Sequence, residues 1–250
     1  MPHLDEYRSR YTCLDLARED GVLLARLNTR GGPLVWSEPA HRELGLAFAD
    51  IAADTDNRVI VLTGAGDSWC DAIDPAGWES QPTAAGWDKL YAEGRRLYNN
   101  FLDIDAPVIA AVNGPVTCHA CLPVICDVVL ASTTARFQDR GHFASGVVPG
   151  DANQLVWPTV LGFNRGRYFL LTGQSLDAAE LHRLGVVNEV LEPARLLPRA
   201  LEIAHEFARK SPLTLRYTRR VLNQELRARM RDALDQGLAL EALAQLQRGP

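Results

Sequence analysis

Two short, mostly apolar runs, each stopped by a glycine turn, constrain this chain more than any other feature. Arg58 to Thr63 ends at Gly64-Ala65-Gly66, and Pro107 to Asn113 ends at Asn113-Gly114-Pro115. Runs of this length without polar alternation fit strands buried on both faces, and such strands need helices on either side of their sheet. The segments between them supply the helices. Ser37 to Ala53 places Leu44, Phe48 and Ile51 at spacings of three and four, with Ser37 positioned to cap the start. Trp87 to Leu102 returns to the same spacing after an irregular stretch, Asp67 to Trp87, that contains Pro75, Gly77, Pro82 and Gly86.

Further strands are expected at Val22 to Leu27, Asp127 to Ala131, Ala135 to Gln138 and Gly185 to Val190. Helices are expected near His119 to Cys126, over Asp151 to Leu161 and Asn164 to Leu171, and from Pro198 onward with a break at Ser211-Pro212. Strands alternating with helices imply an α/β core, and the tail implies a helical appendage. The division expected is a core over residues 1–196 and a helical region over 197–250.

Composition removes several classes of function. With 47% hydrophobic and 23% charged residues, the chain can bury a sizeable core. Its net charge of −5 and its lack of an early basic block argue against a nucleic-acid surface, which needs clustered cations. The late arginines, Arg216 to Arg231, are interleaved with Glu225, Asp232 and Asp235, as on a solvated helix face. No apolar run approaches the ~18 residues of a membrane span, and Met1 to Asp20 is too polar for a signal peptide. The expectation is a cytoplasmic protein with no membrane partner. Five cysteines fit free thiols in a reducing compartment. Cys118-x-x-Cys121 lacks a second pair at metal spacing, so no metal is expected. Gly64-Ala65-Gly66 is too short for a dinucleotide loop, so no cofactor is expected either.

Composition and periodicity give an α/β protein and no reaction. The order of segments goes further, because it resembles the crotonase (enoyl-CoA hydratase/isomerase) superfamily. The marks are Val59-Ile-Val-Leu-Thr-Gly-Ala-Gly66, Ser68-Trp-Cys-Asp-Ala-Ile-Asp74, Ala106-Pro-Val-Ile-Ala-Ala-Val-Asn-Gly114 and Asp127-Val-Val-Leu-Ala131. They continue with Phe137, Val147-Val-Pro-Gly150, Leu171-Thr-Gly-Gln-Ser-Leu-Asp-Ala178 and Gly185-Val-Val-Asn-Glu189. The resemblance implies a crotonase-type spiral of repeated β–β–α turns, followed by the C-terminal helices. It also implies a homotrimer or a dimer of trimers.

The departures from this pattern carry the chemistry. Ordinary members have a glycine run after Asn-Gly, where this chain has Cys118-His119-Ala120. Their two glutamates fall at Leu122 and at or next to His142, so neither carboxylate is present. The chain is similar instead to 6-oxocamphor hydrolase and related β-diketone hydrolases, a branch that does not use coenzyme A. The matching pieces are Leu34-Val-Trp36, Asn113-Gly-Pro-Val-Thr-Cys-His119, His142-Phe-Ala-Ser-Gly146 and Val148-Pro-Gly-Asp151. Two more are Leu238-Ala-Leu-Glu-Ala-Leu243 and Asn164-Arg-Gly-Arg-Tyr-Phe-Leu-Leu-Thr-Gly173. Cys121 and Arg140-Gly141 depart from that branch, next to the expected pocket.

What the resemblance implies is hydrolysis of a carbon–carbon bond in a small β-diketone, giving a keto acid. His142 is the expected base, oriented by Asp151, since a carboxylate fixes an imidazole's tautomer and stabilises its charged form. His119 is the expected donor to a carbonyl or enolate oxygen, as a neutral imidazole at a helix start. Trp36, Glu241, Trp78 and Phe143 are expected around the substrate, and the backbone of Ala72-Ile73-Asp74 beside it. Competing readings remain at this stage. Asp151-Ala-Asn-Gln154 also reads as a helix cap. The chain as a whole also reads as a CoA-thioester hydratase or isomerase, or as a non-catalytic binding protein on the same scaffold.

Overall fold

A computed structural model describes residues 2–76 and 83–247. After a single helical turn, α1 (Leu4–Tyr7), the chain forms a hairpin of β1 (Leu14–Glu19) and β2 (Val22–Leu27). Asp20 and Gly21 close it with φ of 49° and 80°, both in the left-handed region that a tight two-residue turn requires. Three β–β–α units follow in sequence: β2, β3 (Leu34–Trp36) and α2 (Glu38–Ala53); then β4 (Val59–Gly64), β5 (Cys70–Ile73) and α3 (Ala84–Asp103). In the third, β6 (Val108–Val112) leads through a bridge at Val116 to the single turn α4 (Cys121–Val124). Next come β7 (Val128–Ser132), β8 (Arg136–Phe137), α5 (Asn153–Leu161), α6 (Phe163–Thr172), β9 (Leu176–Asp177), α7 (Ala178–Arg183) and β10 (Glu189–Leu191). The C-terminal part is α8 (Pro193–Ala208), α9 (Pro212–Leu222) and α10 (Gln224–Leu246). The fold is therefore the α/β spiral expected from the segment order.

The main sheet has the order β1-β2-β4-β6-β7-β10, parallel throughout except for the antiparallel β1. Its central strands are covered on both sides, which is why their sequences read as unbroken apolar runs. Along β4, Val59 and Val61 face α8, whose Leu196, Ala200 and Ala204 complete a smaller core. Ile60 and Leu62 face the larger core with Leu97, Tyr98 and Phe101 of α3. A second, minor layer pairs β3 with β5 and, through bridges at Val116, with β8. The active-site loops leave this layer.

Several expected boundaries are corrected. β1 is an additional strand, because the Asp20-Gly21 turn allows Leu14, Leu16 and their neighbours to pair. The strand expected at Gly185 to Val190 begins only at Glu189, since Gly185 turns the chain at φ 76°. A division after residue 196 falls inside α8, which packs on the sheet and belongs to the core. The helical stretch expected from Pro198 therefore starts at Pro193.

The remaining C-terminal helices are tied to the core through a buried ion pair. Arg219 Nε on α9 donates to Asp127 Oδ2 at 2.7 Å, and Asn223 Nδ2 donates to Asp127 Oδ1 at 2.8 Å. The Val108 N–H donates to the same carboxylate, and Arg219 also bonds the carbonyl of Ile104. Removing one partner of a buried pair leaves the other charged and unpaired, at a cost of about 3–5 kcal/mol. Arg219→Ala is therefore expected to lower the unfolding free energy by about 3 kcal/mol or more in a urea titration. A loss below about 1 kcal/mol would show that apolar packing alone ties α9 to the core.

Candidate active site

A cavity of about 220 Å³ opens between the minor sheet layer, α3 and α10. Trp36, His41, Trp87, His119, Asp139, His142, Asp151 and Glu241 are among the residues that line it. These side chains come from six separate segments, so the site exists only because the spiral stacks its turns. Trp36 ends β3, and Ser37 then caps α2 by accepting from the Ala40 N–H. His41 follows in the first turn of that helix. His119 precedes α4, Asp139 and His142 follow β8, and Asp151 precedes α5.

Glu241 reaches the cavity because two glycines let backbones touch. A Cβ on Gly150 would lie 2.1 Å from the carbonyl oxygen of Gly237, and one on Gly237 would meet Gly150 in turn. This close contact brings α10 directly over the loop that carries Asp151. Leu238 and Glu241, one and four residues beyond Gly237, then face inward.

Asp151 is the hub. Its Oδ2 lies 3.1 Å from His119 Nδ1, and its Oδ1 lies 3.2 Å from His142 Nε2. Oδ1 also accepts from Asn153 Nδ2 at 2.8 Å, and Asn153 is itself held by the Trp157 indole N–H at 3.0 Å. Burial alone would favour the neutral acid, yet the two flanking histidines hold the Asp151 carboxyl well below its ordinary range. The capping alternative does not fit. Ala152 occupies the N-cap of α5 with no side-chain bond, and Gln154 donates to the Gly150 carbonyl instead.

His142 is buried, with a carboxylate facing each ring nitrogen. Nδ1 donates to Asp139 Oδ1 at 2.5 Å, while Nε2 faces Asp151. Burial works against its charge, but the two carboxylates outweigh burial and hold the imidazole well above 6.5. Burial moves Asp139 the other way, raising its carboxyl. The sequence reading assigned Asp151 as the orienting partner of His142. The structure divides that task, with Asp139 making the shorter bond.

His119 has φ 46°, in the left-handed region, where the family pattern has glycine. Its ring stacks on Trp36, with centroids 3.8 Å apart. Burial, more than any other effect, pushes the imidazole down to about 3, so it is neutral. The neutral state was expected from a helix dipole, but α4 is a single turn that starts beyond Ala120, and desolvation is the cause. Tyr98 Oη lies 2.8 Å from His119 Nδ1 and 3.1 Å from Cys121 Sγ. Burial holds this phenol well above its ordinary value, so it keeps its proton. An imidazole nitrogen is a far better acceptor than sulfur, which directs the Tyr98 proton to Nδ1. The N–H of His119 then sits on Nε2. Asp151 Oδ2 is near Nδ1 but off the bond line, and makes no hydrogen bond.

Glu241 is buried, with Oε2 unpartnered. Burial, reinforced by the Asp151 charge, raises its carboxyl to about 8, so it carries a proton at neutral pH. Trp36 lines the cavity, and its indole N–H makes no hydrogen bond to any described residue. Phe143 does not join them. It starts a 3-10 turn that carries its ring outward from His142, and it is 50% exposed. Trp78 lies outside the described residues. Ile73 lines the cavity, but the Asp74 N–H is already bonded to the Trp36 carbonyl.

Four residues of this network lie outside the sequence-derived set. His41 Nδ1 pairs with Glu93 Oε2 at 3.0 Å, both buried. Both occupy positions on the apolar stripes of their helices, with Leu44 and Phe48 on α2 and Leu90 and Leu97 on α3. A polar residue on such a stripe is a readable signal. Asp139 and Tyr98 give no such signal, because their importance rests on contacts with distant residues.

A parallel sheet wound from β–β–α turns, with its site under a C-terminal helix, is the architecture of the crotonases. The chain belongs to this enoyl-CoA hydratase/isomerase family, whose model matches residues 19–247. It is 26% identical over 231 residues to the short-chain-enoyl-CoA hydratase of Clostridium acetobutylicum, covering 92% of this chain and 86% of that one. It also superposes on a β-diketone hydrolase from the cyanobacterium Anabaena sp. PCC 7120, solved with (S)-3-oxocyclohexyl acetic acid bound. The TM-score is 0.96 at 41% identity, over 100% of this chain and 99% of that one. An enoyl-CoA hydratase/isomerase from Mycobacterium paratuberculosis gives a TM-score of 0.86 at 25% identity, over 94% of each chain.

The Tyr98 contact can be tested on its own. Tyr98→Phe keeps the ring in place and removes the hydrogen bond that sets the His119 tautomer. A single hydrogen bond of this kind corresponds to roughly a tenfold effect. We expect kcat to fall about tenfold with KM little changed, on any substrate whose turnover uses His119. An unchanged kcat would remove Tyr98 from the positioning of His119.

Proposed function

We propose that this protein hydrolyses a carbon–carbon bond in a non-esterified β-diketone, releasing a keto acid without coenzyme A. The observation that carries this reading is the pair of imidazoles on the single Asp151 carboxylate, at 3.1 and 3.2 Å. Hydration of a CoA thioester uses a glutamate pair, and the first of those positions here is Leu122, buried in α4. The likeness to the Anabaena hydrolase, solved with a keto acid, supports the same reading.

The reaction needs a base, an oxygen donor and a proton for carbon. His142, once neutral, takes a proton from water as the oxygen attacks one carbonyl. The resulting imidazolium lies between Asp139 and Asp151, which stabilise it. His119 donates its Nε2–H to the carbonyl oxygen as negative charge develops there. The carbon–carbon bond then breaks, and its electron pair becomes the enolate of the second carbonyl. Protonated Glu241 and the Trp36 N–H are the donors for that second oxygen. His142 returns its proton to the enolate carbon, so atoms and charge balance: one diketone and one water give one acid and one ketone, joined when the substrate is cyclic. Exposed apolar residues on α9, namely Leu213, Tyr217, Val221 and Leu222, fit burial against further copies in a trimer or a dimer of trimers.

The direct test is a panel of cyclic and linear β-diketones, followed by loss of substrate and formation of keto acid. Turnover is expected without added CoA. Hydration of crotonyl-CoA with no turnover of any diketone would reverse the assignment to the hydratase reading.

The pH profile gives a second test, with the sign set by the ionisations. His142 must lose a proton to act as base, and its carboxylate partners raise it, so kcat/KM should rise with pH through an apparent value above 6.5. Glu241 must keep its proton to donate, so activity should fall as pH rises past about 8. In Glu241→Gln the amide donates at every pH, and the alkaline limb should vanish while the acid limb stays. An acid limb at or below 6.5 would mean that His142 is not the base.

A further inference from the structure

The Cys118-x-x-Cys121 spacing does not bring those two thiols together. Cys121 turns its sulfur to Tyr98 Oη at 3.1 Å, on the far side of His119. Cys118 meets a different cysteine. Cys70 on β5 forms a parallel bridge with Val116, and its carbonyl accepts the N–H of Thr117 at 2.9 Å and of Cys118 at 3.4 Å. Such a backbone contact holds the two α-carbons within about 7 Å, close to the ~4.4–6.8 Å of disulfides. Both thiols are free. They differ in access, because Cys118 lines the substrate cavity and Cys70 sits behind it. The neighbouring Cys70 thiol, more than any other group, holds Cys118 below its ordinary value, and Cys118 in turn pushes Cys70 well above. Both cysteines are buried, but only Cys118 borders the cavity, where a small oxidant meets it first.

We propose that Cys70 and Cys118 are a redox-modification site: a peroxide entering the substrate cavity converts the two thiols to a disulfide, and the cross-link displaces His119 and stops turnover. In the first step the Cys118 thiolate attacks one peroxide oxygen and the O–O bond breaks; Cys118 becomes a sulfenic acid, and the departing hydroxide takes up the proton the thiol had released and leaves as water. In the second, the Cys70 sulfur attacks the sulfenic sulfur. The S–S bond forms, the S–O bond breaks, and the departing hydroxide takes the Cys70 proton as water. Two electrons pass from the thiols to the peroxide, and no other oxidant is needed. His119 is the next residue in the chain, held at φ 46° by its packing on Trp36 and its bond to Tyr98. A pull on Cys118 toward β5 acts directly on that strained backbone. Cys13 and Cys126 do not line the cavity and should remain reduced.

The cross-link is independent of the hydrolase reading, and only its effect on turnover rests on it. The primary readout is therefore mass. The folded protein is treated with hydrogen peroxide, its remaining thiols are alkylated, and its peptides are weighed with and without a reductant. The expected result is a joined Cys70–Cys118 peptide about 2 Da lighter than its two reduced parts, separated again by dithiothreitol. Activity should be lost with its formation and return on reduction. In Cys70→Ser, which lacks the resolving thiol, Cys118 should instead go on to sulfinic acid, and reductant should not recover it. If Cys70→Ser does not fold, the wild-type masses decide alone. Wild-type protein in which Cys118 is alkylated intact, or reaches sulfinic acid while Cys70 stays reduced, would overturn the proposal. A cross-link that leaves diketone turnover intact would overturn the switch.

Discussion

Asp151 is a carboxylate taken out of water between two imidazoles. A buried charge is expensive unless it is paired and hydrogen-bonded, so the site's arrangement follows from meeting that cost. His142 supplies the compensating charge, and Asn153 supplies a hydrogen bond that Trp157 in turn holds in place. His119 stays neutral on the other side because burial outweighs the attraction of the same carboxylate. Asp151 stabilises the His142 imidazolium while burial keeps His119 neutral, so the two histidines differ in protonation state within a few ångströms. Acid and base roles can be divided between two chemically identical side chains only when their environments are separated in this way.

The charges around the cavity form one coupled set. Asp139, Asp151 and Glu241 are all buried there, with a single imidazolium to balance them. Three ionised carboxylates would repel strongly, and the proton remaining on Glu241 relieves that repulsion. Its state depends first on its own burial and then on the Asp151 charge, so the titrations belong to the cluster and not to one residue. The helix that carries Glu241 lies close to the cluster where the backbones of Gly150 and Gly237 touch. Packing at two glycines thus reaches into the electrostatics of the site.

The scaffold is shared with enzymes that act on CoA thioesters, and the departures cluster where substrate lies. His119 occupies a backbone conformation suited to glycine, and it is held there by stacking on Trp36 and by Tyr98. The strain falls on a residue that lines the cavity, and such conformations are most often maintained at functional sites. A fold of this kind does not dictate a reaction, and the functional reading rests on the side chains placed on it.

The sequence by itself determined the α/β class and the helical tail, because buried strands and amphipathic helices are written in local patterns, while the spiral was legible only through the resemblance of the segment order. The run Val59 to Thr63 and the stripe through Leu44, Phe48 and Ile51 need no distant residue to be read. Asp20-Gly21 carries an equally local hairpin signal, and His41 is visible as a polar residue on an apolar stripe. His119, His142, Asp151, Trp36 and Glu241 were legible only through motif resemblance, since nothing local marks them out. Tertiary structure decided the rest. It made Asp139 a partner of His142 and Tyr98 a partner of His119, turned Phe143 outward, and set Cys118 beside Cys70 instead of Cys121. Ionisation states and side-chain partners depend on desolvation and on charges a few ångströms away. Those distances are fixed only when segments remote in sequence are packed together.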